Sequence, residues 1–271
     1  CAGLGPAMVP TKADPVGVRR GAGGVRCDLP GPGEDFRSVP PAEAGVDPEA
    51  VRRTVDQLST PVTTSFRIYR HGCLIGQTHR DLQTAAEATQ LFSMTKSVVS
   101  LAVGRAVTLG LLAVDDPIGR YLPGLDPGHG AITVRQLLTQ TSGLRFAWAN
   151  DLVGSTEDSV AQAMSLPFVH RPGTFFEYAQ TTVTTLTAVV AAAAGEDFQS
   201  FVSRELFGRV GIEPGTWSWA HDGVGATQGY AWLAMRPVDV ARLGQLVLDD
   251  GRWRGERVID AAYVDALGHG T

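Results

Sequence analysis

The sequence predicts an α/β chain in which an antiparallel sheet domain flanked by helices accompanies a mostly helical domain. Three observations carry this. The segment TTSFRIYRHGCLIGQTHRD alternates around His71–Gly72 as a β-hairpin near residues 65–80 would, with Tyr69 and Leu74 flanking the turn. From Phe92 to about Leu112, apolar positions including Val98, Leu101, Ala102, Val107 and Leu111 recur with little charge on any side, as in a helix buried on most faces. Further helical patterns extend the helical part over about 92–210, and 271 residues suffice for one large domain or two modest ones.

Residues 1–45 are rich in Gly and Pro, as in PGPGEDFRSVPPAEAG, and are expected to form an extended N-terminal arm before a main domain over 46–271. A helix runs from the cap-like Asp47 through Leu58. After the hairpin and the long helix, DDPIGRYLPGL reads as a loop with a short helical turn. ITVRQLLTQTSGL reads as a helix begun at Thr133 and ended by Gly143. Residues 146–170 are less regular. TTVTTLTAVVAAAAGEDFQSFVSRELFGRVGI reads as two helices broken at Gly195, and RPVDVARLGQLVLDD as an amphipathic helix opened by Pro237 and Asp239.

Composition narrows the function classes. Hydrophobic residues make up 44% and charged residues 19%, enough apolar material for a sizeable core. A net charge of -5 without any basic block argues against a nucleic-acid partner. No run of roughly 18 apolar residues occurs, so no transmembrane segment is expected. The histidines lack H-E-x-x-H or other ligand spacing, and Cys1, Cys27 and Cys73 lack metal-ligand spacing, so no metal site is expected. There is no G-x-S-x-G, P-loop or dinucleotide fingerprint. The three cysteines leave room for one bridge between Cys1 and Cys27. A start at Cys1 fits two readings, a processed lipoprotein with a lipid anchor on Cys1 or a segment of a longer chain. The first would make the location secreted, periplasmic or lipid-anchored rather than cytoplasmic.

Chemistry concentrates at Ser93-Met94-Thr95-Lys96, where the most apolar helix opens. Residues three apart lie on one helix face, so hydroxyl and amine can meet. A helix N-terminus adds free backbone N–H groups suited to a developing oxyanion, including that of Ser93. Burial and the same field favour the neutral lysine that accepts a proton. Arginine stays protonated and could not do this. The chain has 21 arginines and only two lysines, Lys12 and Lys96, which makes a lysine here informative. The competing reading is Ser93 as a helix cap with a surface lysine behind it. Farther on, RPGTFFEYAQTT places Tyr178 just before a helix, as a proton shuttle or as a packed aromatic.

Together LFSMTKS, DDPIGRYLPGL, ITVRQLLTQTSGL, PGTFFEYAQTT and RPVDVARLGQLVL resemble the serine β-lactamase and penicillin-binding-protein superfamily. In order and approximate spacing they are similar to class C β-lactamases, family VIII carboxylesterases, D-aminopeptidases and 6-aminohexanoate-dimer hydrolases, from about residue 45 to 271. The resemblance implies a β-lactamase/transpeptidase-like fold and a small-molecule ester or amide substrate, with no metal or organic cofactor. It makes Ser93 the nucleophile, Lys96 its base and Tyr178 the relay to the leaving group. Gln180 and Trp148 would touch substrate; Asn150 and Asp151 lie in the same cleft-lining stretch.

Two departures qualify the resemblance. The family's Tyr-x-Asn reads Tyr178-Ala179-Gln180, and the longer glutamine moves an amide that holds the side-chain amide of β-lactams. That favours a carboxylesterase or amidase over a β-lactamase or D-amino-acid peptidase. The family's third motif, Lys/His-x-Gly on a later strand, has no convincing counterpart in the 93 residues after Tyr178. The ending Gly268-His269-Gly270-Thr271 follows the helical pattern VIDAAYVDAL rather than a strand. The expectation is therefore an incomplete domain without its last C-terminal strands, weak or inactive by itself. A non-catalytic relative serving as a binding or scaffold module is the alternative from another class.

Overall fold

A computed structural model describes residues 18–21, 23–146 and 157–268. Cys1, Trp148, Asn150, Asp151 and the ending His269–Thr271 lie outside the described residues. The chain divides into two units, Cys1–Pro30 with Phe36–Leu82 and Gly31–Asp35 with Gln83–Thr271.

In the first unit, β1 (Val18–Gly21) pairs antiparallel with β2 (Gly24–Cys27), within the segment expected to form an extended arm. Helix α1 (Pro48–Leu58) starts as its sequence dictates: Asp47 accepts from Glu49 N at 3.0 Å and proline occupies the first helical position. Strands β3 (Arg67–Arg70) and β4 (Cys73–Gln77) form the expected hairpin, with Tyr69 opposite Leu74. His71 and Gly72 both take left-handed backbone, φ 50° and 75°, as a two-residue type I′ turn requires. Helix α2 (His79–Thr84) follows, and its buried Asp81 accepts from Arg67 Nε at 2.7 Å.

The core of this unit comprises Val25, Cys27, Val39, Ala44, Val51, Cys73 and Ile75. A disulfide joins Cys27 to Cys73, which corrects the expectation of a Cys1–Cys27 bridge. Backbone pairing decides the partner. Cys27 N donates to His71 O at 3.0 Å, which brings the end of β2 beside the start of β4 and sets the two Cα atoms 5.1 Å apart.

In the second unit, β5 (Thr89–Gln90) leads through a 3₁₀ turn, Phe92–Met94, into α3 (Thr95–Thr108). The long helix expected to reach Leu112 thus stops four residues earlier. Leu111 N folds back onto Ala106 O at 3.0 Å, and the chain leaves through Gly110. Next come α4 (Pro127–Gly130) and α5 (Val134–Leu138), the latter opened by a reciprocal capping box between Thr133 and Gln136. Helix α5 ends well short of Gly143, because Gln140 turns left-handed (φ 55°) and serves other partners.

Helix α6 (Ser159–Met164) precedes α7 (Thr181–Ala194), which ends at Gly195 as expected, and α8 (Phe198–Val202) follows. Strands β6 (Trp217–Trp219) and β7 (Leu233–Met235) complete a small antiparallel sheet of order β5-β7-β6. Helix α9 (Pro237–Leu248), a short hairpin of β8 (Arg252–Trp253) and β9 (Glu256–Arg257), and α10 (Ala261–Leu267) close the unit. The result is the mixed α/β architecture with antiparallel sheets that the sequence predicts.

Buried charge fixes how α3 sits. Arg105 donates to Glu205 Oε2 through Nε and Nη2, at 3.2 and 2.7 Å, and to Val258 O at 2.9 Å. Both side chains of the pair are buried, so removing either partner would leave an uncompensated charge inside. Among the described residues no helix is long and apolar enough to cross a membrane, and no cluster of His, Cys, Asp and Glu could hold a metal ion.

Candidate active site

Ser93 occupies the 3₁₀ turn that opens α3, and Lys96 lies in the first turn of the helix itself. In 3₁₀ geometry side chains three apart eclipse. Lys96 Nζ accordingly lies 3.4 Å from Ser93 Oγ and donates to the carbonyl of Tyr230 at 2.9 Å. The same nitrogen stands over the ring of Tyr178, 4.8 Å from its centre. The tight turn gives the sequence motif a shorter, more exposed start than a regular helix would.

Tyr178 feels opposing influences. Burial acts to raise its phenol, but hydrogen bonding from Ser93 and Lys96, with the Lys96 charge, outweighs burial and brings it below the ordinary tyrosine value. A phenol lowered in this way, beside a hydroxyl and an amine, gives up its proton more readily than a free tyrosine would. Ser93 and Lys96, three residues apart, therefore converge with Tyr178, which comes from a distant part of the chain. Gln180 sits at the N-cap of α7 with 7% of its surface exposed. Trp148 lies outside the described residues.

Two supporting sets of contacts escaped sequence reasoning. Gln140 grips both sides of Tyr178: its carbonyl accepts from Glu177 N at 3.0 Å and its side-chain oxygen from Ala179 N at 2.9 Å. The nearby TSGL segment holds the same loop, with Gly173 N donating to Thr141 O at 2.7 Å. The one available signal was the Thr-Gln-Thr-Ser-Gly-Leu run, whose polar residues have no place on a helical apolar face.

The second set runs from α7 to the Tyr230 carbonyl. Thr187 Oγ1 donates to Thr227 O at 2.8 Å, and Gly229 N donates to Thr184 Oγ1 at 3.2 Å. The strap lies so close to the helix that a Cβ on residue 229 would fall 2.6 Å from Val183 O. Tyr230 thus acts here through its backbone carbonyl. Trp219 is a packing residue: it is buried, donates from Nε1 to Gln228 O at 2.9 Å and meets Phe198 edge-on.

Comparison with known proteins bears on this geometry. The family model described as Beta-lactamase matches residues 51–262. This chain belongs to the β-lactamase family. Among curated proteins, it is 32% identical to Esterase EstB of Burkholderia gladioli over 135 residues, covering 42% of this chain and 34% of the relative. It is 28% identical to Penicillin-binding protein 4* of Bacillus subtilis over 127 residues, covering 44% and 28%. The matches thus span about a third of those relatives' length. Among solved structures, an octameric penicillin-binding protein homologue from Pyrococcus abyssi gives a TM-score of 0.63 at 18% identity, covering 83% of this chain and 60% of that one. FmtA from Staphylococcus aureus gives 0.65 at 14% identity, covering 88% and 74%. These structural likenesses establish the β-lactamase/transpeptidase-like fold.

Proposed function

We propose that this β-lactamase-family chain is a serine hydrolase of esters or amides, most suited to carboxylester or simple amide cleavage. The observation that carries the reading is the convergence of Lys96 Nζ on Ser93 Oγ at 3.4 Å and on the Tyr178 ring at 4.8 Å. In the proposed cycle neutral Lys96 accepts the Ser93 hydroxyl proton while Oγ adds to the substrate carbonyl. The tetrahedral oxyanion collapses, the carbonyl-to-leaving-group bond breaks, and Tyr178 and Lys96 pass the proton to the departing alkoxide or amine. A water then attacks the Ser93 ester, gives one proton back through the same pair, and the carboxylic acid leaves.

Gln180 and Trp148 enter the proposal as substrate contacts. The burial of Gln180 favours simple esters, which lack the side-chain amide that such a partner would hold in a β-lactam. EstB, named as an esterase, points the same way.

The test is to treat the protein with a fluorophosphonate probe and map the adduct, then compare p-nitrophenyl butyrate with nitrocefin. The expected result is one adduct on Ser93, lost in Ser93→Ala, and faster turnover of the ester. Dominant nitrocefin turnover would make it a β-lactamase instead. No adduct with phosphonate, ester or penicillin would favour a binding or scaffold role and overturn the proposal.

The strap gives a further expectation. Gly229→Ala forces a Cβ against the Val183 carbonyl and shifts the Tyr230 oxygen that steadies Lys96. Overpacking of this kind costs about 1–3 kcal/mol. Phosphonate labelling of Ser93 should also slow by roughly tenfold, since about 1.4 kcal/mol of misplacement is one factor of ten. A thermal melt and a labelling time course read the two effects separately.

A further inference from the structure

The strand pairing beside the nucleophile ends in two strained aromatic residues. The register runs Thr89 opposite Met235 and Gln90 opposite Ala234, and Leu91 N donates to Leu233 O at 2.8 Å. One step further, the same register sets Phe92 opposite Trp232. There both residues leave the β region for left-handed backbone, φ 47° at Phe92 and 68° at Trp232. Bulky side chains rarely adopt such backbone, where glycine would be unstrained. Both keep much of their surface open: Phe92 is 69% exposed and Trp232 48%.

Their place in the chain gives the strain a meaning. Ser93 follows Phe92 directly, and Tyr230, whose carbonyl holds Lys96, lies two residues before Trp232. Met94, on the other side of Ser93, is a further apolar residue left 43% exposed. Backbone strain held beside a reactive residue, with apolar surface turned outward, is what a substrate-gripping feature requires and what folding alone would remove.

We propose that Phe92 and Trp232 form an apolar jaw that selects esters with a bulky apolar acyl group, aromatic or branched aliphatic, over acetyl esters. This rests on Ser93 being the nucleophile. In this proposal the leaving group lies toward Tyr178, which relays its proton, and the acyl group toward the jaw. The contact is non-directional, so it grades acyl groups by apolar area rather than by a polar handle.

The experiment compares kcat/KM for p-nitrophenyl acetate, butyrate and phenylacetate in the wild type, Trp232→Gly, Phe92→Gly and Trp232→Phe, with melting temperatures for each. The wild type should prefer butyrate and phenylacetate over acetate by roughly tenfold or more, as apolar pockets discriminate. Either glycine variant should bring that ratio toward one while its melting temperature rises, because glycine relieves the strained backbone. Trp232→Phe should retain the preference. A wild type without the preference, or glycine variants that keep it, would overturn the jaw. Phosphonate labelling separates the two readings: a labelled Ser93 with flat acyl selectivity removes the jaw alone, whereas an unlabelled Ser93 removes the nucleophile and the jaw with it.

Discussion

Replacing Lys96 with arginine is expected to slow acylation of Ser93 by roughly a thousandfold, within the range of about 10²–10⁴ that positioned proton transfer contributes. The substitution keeps a long cationic side chain at the start of α3. It removes the one property the mechanism needs, a nitrogen that can be neutral, because a guanidinium stays protonated. If Lys96 served only as a charge near Ser93, arginine would leave most of the rate. Comparing Lys96→Arg with Lys96→Met in a stopped assay of p-nitrophenyl butyrate decides between a base and a charge. The methionine variant adds a second readout. Lys96 is among the groups that hold the Tyr178 phenol below its ordinary value. Without that amine the phenol should titrate at higher pH, so any limb of the residual pH–rate profile due to Tyr178 should move upward. An unmoved limb would detach Tyr178 from Lys96.

Reducing the Cys27–Cys73 bridge is expected to destabilise the first unit by about 4 kcal/mol, the chain-entropy value for a closed loop of this size. The bridge closes 46 residues, and both cysteines belong to a core of seven buried residues. Domains are stabilised by about 5–15 kcal/mol in total, so the loss is a large fraction. Helix α1 contributes Val51 to that core, with Val55 packed against it. Melts with and without reductant, beside a Cys27→Ala/Cys73→Ala double variant, should give the reduced and double-variant proteins the same lowered transition. Thiol titration in denaturant should find two more reactive cysteines after reduction than before. Identical melts, or a thiol count that reduction leaves unchanged, would remove the bridge from the account. Bonds of this kind form in oxidising compartments, so production in a reducing cytosol should yield the less stable form.

Local chemistry made much of this protein legible. Asp47 and Pro48 specify the start of α1, His71–Gly72 the hairpin turn, Thr133 and Gln136 the capping box of α5, and Gly195 the end of α7. Each is decided within four or five residues, by a side chain reaching its own backbone or by a residue suited to a particular φ. Ser93 and Lys96 are legible for the same reason, because their three-residue spacing is itself the geometry. The family pattern of ordered segments pointed to Tyr178.

What sequence reading missed depends on contacts between distant segments. Cys27 pairs with Cys73 because a backbone hydrogen bond to His71 aligns two hairpins, and nothing in the spacing of three cysteines encodes that. Helix α5 stops at Leu138 because Gln140 is drawn to the loop carrying Tyr178. The Tyr230 carbonyl reaches Lys96 across 134 residues, through a strap that Thr184, Thr187 and Gly229 hold against α7. Sequence by itself determined most of the elements and singled out Ser93 and Lys96, since those follow from periodicity and short spacing. Tertiary structure alone decided the disulfide, the aromatic pair at the end of the strand and the supports of Lys96 and Tyr178, because backbone groups carry no residue signature until folding brings them within hydrogen-bond reach.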